Sequence, residues 1–384
     1  MTRMTRVAVS STLLRWARER SGQGLVDLVR AFPKLPEWES GDVQPTLRQL
    51  ELYAARTHTP FGYFFLDEPP ADRLPIPSFR TVHDDHPDRP SPELLDTVFD
   101  MLRRQEWMRE HRIGQGWEPL AFVGVASSGA KPDDVAAAMR RTLGLEGDWA
   151  SRTPSWQSAL SQLRTSAERL GVLVMVSGIV GNNTHRPLNP KEFRGFVLSD
   201  QFAPLVFING ADAKSAQIFT LAHELVHLWF NLSAAFDLRG LQPSKEATES
   251  ACNAIAAEFL IPRADLSDAW VEAQGSGNPY EYLARRFKVS KIVTARRLLD
   301  LGYLTREQFF HFYEEYLTED RQSRQSRGGG DFIVNLDYKV GRPFADAVIG
   351  AAKEGALLYS EAYGLIGVRG DTFEKLAARI GWNG

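Results

Sequence analysis

Residues 215–230 read SAQIFTLAHELVHLWF. Ile218, Phe219, Leu221, Ala222, Leu225, Val226, Leu228, Trp229 and Phe230 fall on nearly every side of a 3.6-residue helix, and a helix that is apolar all round is buried. His223, Glu224 and His227 sit in the middle of it. Buried polar groups need partners, and a buried charge needs pairing or a metal. His223 and His227 are four apart, so both imidazoles project from one face. That is the arrangement two ligands of one tetrahedral zinc require. Glu224 stands one step round the helix, where the base of a metal-assisted hydrolysis acts. The bland alternative is a pair of core histidines bonded to backbone carbonyls, which leaves Glu224 unexplained.

A catalytic zinc takes a third protein ligand and keeps one position open. The next helical stretch, KEATESACNAIAAEFLIP at 245–262, supplies the candidates. Glu249 and Asn253 are four apart and share a face. Glu249 is the choice as ligand, with Asn253 as the side chain that orients it. Glu246 and Glu258 compete for the role. Cys252 reads as a small buried apolar residue.

Working upstream, three short apolar runs bounded by turn residues predict strands at Gly171–Val176, Phe193–Leu198 and Pro204–Ile208, the last closed by Asn209-Gly210. Either of the last two could serve as an edge strand that holds an extended substrate by main-chain pairing. Apolar spacing predicts helices over 92–112, 134–143, 156–170 and 279–317. Phe332–Leu336 reads as strand-like, followed by helices to the C-terminus. The fold class is α+β and mostly helical.

The bulk numbers fit a soluble globular protein: 384 residues, 43% hydrophobic, 24% charged, net charge −3. That charge excludes a polybasic coat for nucleic acid or membrane. A single cysteine excludes a disulfide framework and a cysteine-based zinc cluster. No run is long enough to span a membrane, and the start has no secretory signature, so the expected location is the cytoplasm.

TLAHELVHLWF followed by ESACNAIAAEFLIP resembles the ImmA/IrrE family of metallo-endopeptidases, whose motif runs H-E-x-x-H and then E-x-x-x-N-x-x-A-x-E-x-x-x-P. Glu249, Asn253, Ala256, Glu258 and Pro262 fall on that pattern in order. EFRGFVLSD at 192–200 and VFING at 206–210 are similar to the family's strands before the active helix. The resemblance covers roughly residues 150–317. It implies zinc, a zincin-like core with a small sheet and an active-site helix, and cleavage or inactivation of a regulatory protein under stress.

Trp38–Ala54, WESGDVQPTLRQLELYA, resembles the third and fourth helices of a phage-repressor-type helix-turn-helix domain with their intervening loop. Two features depart from that pattern. The element that would enter the major groove is short and interrupted by Pro33 and Pro36. Residues 1–60 also hold nine Lys and Arg against six Asp and Glu, a thin balance for phosphate binding. A second stretch, 282–304, has helix-turn-helix spacing with Arg285, Arg286, Lys288, Lys291, Arg296 and Arg297, and reads more simply as a solvated face. The expected organisation is a helix-turn-helix-like domain at 1–68, a linker and helical connector at 69–145, the zinc peptidase at 146–320 and a helical region at 321–384.

Two functions from different classes follow. One is a zinc endopeptidase that regulates a repressor, antitoxin or toxin by limited cleavage, with DNA binding and a homodimer as further expectations. The other is a DNA-binding regulator or antitoxin whose metal site is structural or sensory.

Overall fold

The computed structural model describes residues 6–70, 74, 90–127, 129–236, 247–323 and 332–382. Two compact units divide the chain between Val98 and Phe99, inside one long helix. Most of the linker between 71 and 89, residues 324–331 and Glu246 lie outside the described residues.

In the first unit four short helices, α1 (Ser11–Arg20), α2 (Leu25–Ala31), α3 (Leu35–Ser40) and α4 (Leu47–Arg56), are followed by a 3-10 turn at Phe61–Phe65. Leu13, Leu14, Leu28, Leu35, Trp38, Leu50, Tyr53 and Phe64 form its core. Tyr53 is the hub: Phe32 and Trp38 meet it edge-on at 5.4 and 6.1 Å, and its hydroxyl donates to the Leu14 carbonyl. A capping box, Thr46 with Gln49, starts α4 directly after Pro45. Pro36 does not interrupt the chain as expected. It stands in the first turn of α3, where a missing N–H costs nothing, and the helix runs on to Ser40.

The long helix α5 spans Pro92–Gly114. Beyond it the second unit runs α6 (Pro132–Leu143), α7 (Trp156–Arg169), β1 (Leu173–Ser177), β2 (Gly195–Leu198), β3 (Leu205–Asn209), α8 (Lys214–Trp229), β4 (Ala234–Phe236) and α9 (Ala247–Leu260). Then come α10 (Arg263–Gln274), α11 (Pro279–Phe287), α12 (Lys291–Asp300), α13 (Arg306–Ser323), α14 (Phe332–Val340), α15 (Arg342–Lys353), α16 (Tyr359–Ile366) and α17 (Gly370–Ile380). The unit is mostly helical around a small sheet. Among the described residues no helix is long and apolar enough to cross a membrane.

The sheet order is β1-β3-β2-β4. β1 runs parallel to β3, Leu173 opposite Leu205, while β2 is antiparallel to both β3 and β4. Residues of β1, β2 and β3 are buried throughout, which is why each reads as an unbroken apolar run. The order overturns one expectation. Both strands considered as substrate edges, 193–198 and 204–208, are paired on two sides, and the outer strands of the sheet are β1 and β4. A second correction concerns Phe332–Leu336, which opens helix α14 instead of forming a strand. Leu336 and Val340, four apart, are both buried, and a five-residue apolar window is too short to separate period 2 from period 3.6.

Polar side chains hold the loops around this sheet. On α5, Gln105 Nε2 donates to the carbonyls of Leu198 and Ala203, and the buried Arg112 donates to those of Gly171 and Phe202. Asn209 ends β3 by donating to Phe193 O and accepting from Ala211 N. Gln217, in the first turns of α8, donates to Gly210 O and Asp212 O. These bonds fix where α8 starts relative to the strands.

Gly195 sets how closely α8 approaches β2. A Cβ there would lie 2.6 Å from the Thr220 methyl of α8 and 2.8 Å from the Phe207 carbonyl oxygen. Gly195→Ala should therefore force helix and strand apart and cost about 1–3 kcal/mol. Urea unfolding of the full chain checks this, and an unchanged midpoint would mean that α8 tolerates the shift.

Candidate metal centre

Helix α8 is buried from Gln217 to Trp229, and His223, Glu224 and His227 are at most 1% exposed. The four-residue spacing brings the two Nε2 atoms 3.0 Å apart. From α9, Glu249 reaches in: its Oε2 is 3.3 Å from His223 Nε2 and its Oε1 3.5 Å from His227 Nε2. Among the described residues these three form the one group of His, Cys, Asp or Glu whose donor atoms could hold a metal ion. Only Glu249, about a quarter exposed at its side chain, opens the group to solvent.

The donor set fits zinc. Two imidazole nitrogens and a carboxylate oxygen are its usual borderline and hard ligands, and bonds of about 2.0–2.1 Å at tetrahedral angles place donors about 3.3 Å apart. The observed separations of 3.0, 3.3 and 3.5 Å bracket that value. Burial, with the neighbouring His223, pushes His227 down to about 3, so at neutral pH the ring is uncharged, the form that can bind a metal. Burial also raises the Glu249 carboxyl, but the hydrogen bond and charge of His223 outweigh it and hold Glu249 below its ordinary range.

Glu224 differs from Glu249. It is wholly buried, and neither carboxylate oxygen has a hydrogen-bond partner among the described residues. Burial first, and Glu249 second, push its carboxyl well above the ordinary value. Buried carboxylates without partners are costly, and they occur where function requires them.

The remaining candidates separate clearly. Asn253 lies one turn beyond Glu249 on α9 and is partly buried. Glu258 is committed elsewhere: it pairs with Arg297 of α12 and accepts the Arg263 N–H at the start of α10. Arg297 also donates to Ile261 O. The other cations of 282–297 are similarly engaged, Arg285 with Glu281, Arg286 with Asp148 and Glu272, Arg296 with Asp300, and Lys288 with the Arg285 carbonyl. In the first unit, the solvent side of α3 carries Pro36, Glu37 and Ser40, and the α1 cations Arg15 and Arg18 are held by Glu39. One contact was not read from the sequence: Cys252 Sγ lies 3.9 Å from His227 Nδ1. Its position three residues after Glu249, on the same helical face, was the available signal.

Residues 167–299 match the family model of the IrrE N-terminal-like domain, peptidase family M78. The matched segment runs from the end of α7 into α12 and contains all three donors and Glu224. This segment is similar to the ImmA/IrrE-type metallopeptidase domain. Residues 340–379, covering α15 to α17, match a domain of unknown function (DUF8813). No curated protein matches the chain.

Proposed function

We propose that the chain is a zinc-dependent endopeptidase that regulates a partner protein by limited cleavage, with His223, His227 and Glu249 as ligands and Glu224 as general base. The observation that carries this reading is the convergence of two imidazoles and a carboxylate on one point beside a buried carboxylate that has no hydrogen-bond partner among the described residues. Zinc held there would lower the pKa of a water toward about 7 and polarise the scissile carbonyl. Glu224, whose burial makes its carboxylate a stronger base than an exposed one, would take the proton of the attacking water and return it to the leaving nitrogen. The apolar surround of α8 excludes bulk water and strengthens each of these interactions.

The partner reading rests on organisation. The M78 segment is flanked by modules with no part in peptide hydrolysis, the helix-turn-helix-like first unit and the α14–α17 region. Binding energy from such modules can place one scissile bond, so specificity comes from docking. The solvent side of α3, Pro36, Glu37 and Ser40, carries no cation for phosphate contact, which favours a protein partner for the first unit.

Co-expression of the full chain with proteins encoded beside it tests the proposal. A single cut in one repressor, antitoxin or toxin, abolished by a zinc chelator and restored by zinc, is the expected result. Degradation of unrelated unfolded proteins into many fragments would overturn the regulatory reading.

A further inference from the structure

The two nitrogens of His227 face opposite ways, and α9 touches both. Glu249 Oε1 is 3.5 Å from Nε2, and Cys252 Sγ is 3.9 Å from Nδ1. Glu249 and Cys252 are three residues apart on α9, so one helical face holds the ring from both sides. We propose that Cys252 is a positioning residue for the metal centre: its sulfur accepts the Nδ1 hydrogen of His227 and leaves Nε2 bare toward His223 and Glu249. This rests on the zinc-site reading above.

The chemistry follows from hydrogen-bond accounting. A neutral imidazole carries one N–H, and the nitrogen without it is the one that can bind a metal. Metal-bound histidines almost always donate the other N–H to an acceptor that fixes tautomer and ring orientation. His227 and Cys252 are both 1% exposed, so bulk water does not offer itself as that acceptor. A thiol sulfur is a weak acceptor, but it is large and reaches further than a hydroxyl. Being weak, it fixes the ring without pulling strongly on the N–H.

Selective 15N-histidine labelling of the full chain reads which nitrogen of His227 carries hydrogen, without any metal present. The expected result is the Nδ1–H tautomer in the wild type and a mixture in Cys252→Ala. Zinc affinity, measured by chelator competition, should fall about tenfold in Cys252→Ala. Cys252→Ser keeps a hydrogen-bonding group at this position on a smaller, more polar atom, and should recover part of that loss, although a helical serine also bonds back to the carbonyl four residues earlier. An Nε2–H tautomer in the metal-free wild type would overturn the proposal. So would wild-type zinc affinity in Cys252→Ala with only a lowered melting temperature, because the thiol would then be packing alone. A wild-type chain that binds no zinc would defeat the metal-site reading, while the tautomer measurement would still decide the role of Cys252.

Discussion

Glu224→Gln should keep full zinc content and lose cleavage by about 10²–10⁴-fold, the usual worth of a general base. The amide has the shape of the carboxyl and cannot accept the proton. Because the proposed ligands are His223, His227 and Glu249, metal content measured by elemental analysis should stay at the wild-type level. The same variant should be more stable than the wild type when metal-free. Burial holds the Glu224 carboxyl well above the ordinary carboxyl range. A raised acid costs nothing below the unfolded pKa, and the cost accumulates as pH rises from there toward the folded value. At neutral pH that cost is present, and glutamine removes it. A chemical denaturation midpoint above wild type at pH 7, together with lost cleavage, would mark Glu224 as a residue kept for chemistry at the expense of stability. Cleavage at the wild-type rate would remove the base assignment.

The parts legible in the sequence were those governed by local pattern. The α8 stretch announces burial because apolar residues fall on every side of it around His223, Glu224 and His227, and the β1, β2 and β3 runs announce themselves because each is covered on both faces. What the pattern does not encode is pairing between distant segments. The apolar run of β3 looks the same whether it lies at an edge or between β1 and β2, so the sheet order was not readable. Three acids on one stretch competed for the third donor, and only the packing of α9 on α8 separates Glu249 from Glu258, whose partner Arg297 is 39 residues away. Arg112 and Gln105 carry no sequence signal for their partners, four carbonyls around the sheet that lie 59 to 98 residues away. Cys252 was assigned to packing, because a sulfur contact to a ring nitrogen leaves no trace in apolar spacing.

Removing the metal should have the largest effect on stability. If zinc binds only the folded chain, free zinc at a thousandfold over Kd adds about 4 kcal/mol, and a chelator takes that away. His223→Ala and His227→Ala should melt near the chelated wild type and respond little to added zinc. The pH dependence has a definite sign. Burial and His223 depress His227 to about 3, below its ordinary 6.5. A depressed histidine contributes stability that is fully present above the unfolded pKa and is lost as pH falls toward the folded one. In the metal-free chain this loss should therefore develop between about pH 6.5 and pH 3. For the loaded chain, the fold has already excluded protons from the ligand, so protons should compete poorly with zinc just below pH 6.5. Zinc content followed by dialysis at falling pH should hold well below 6.5 and drop only as the chain begins to unfold. Release centred near 6.5, with the chain still folded, would mean that the imidazoles titrate as exposed groups, and the buried geometry of α8 and α9 would not describe the working site.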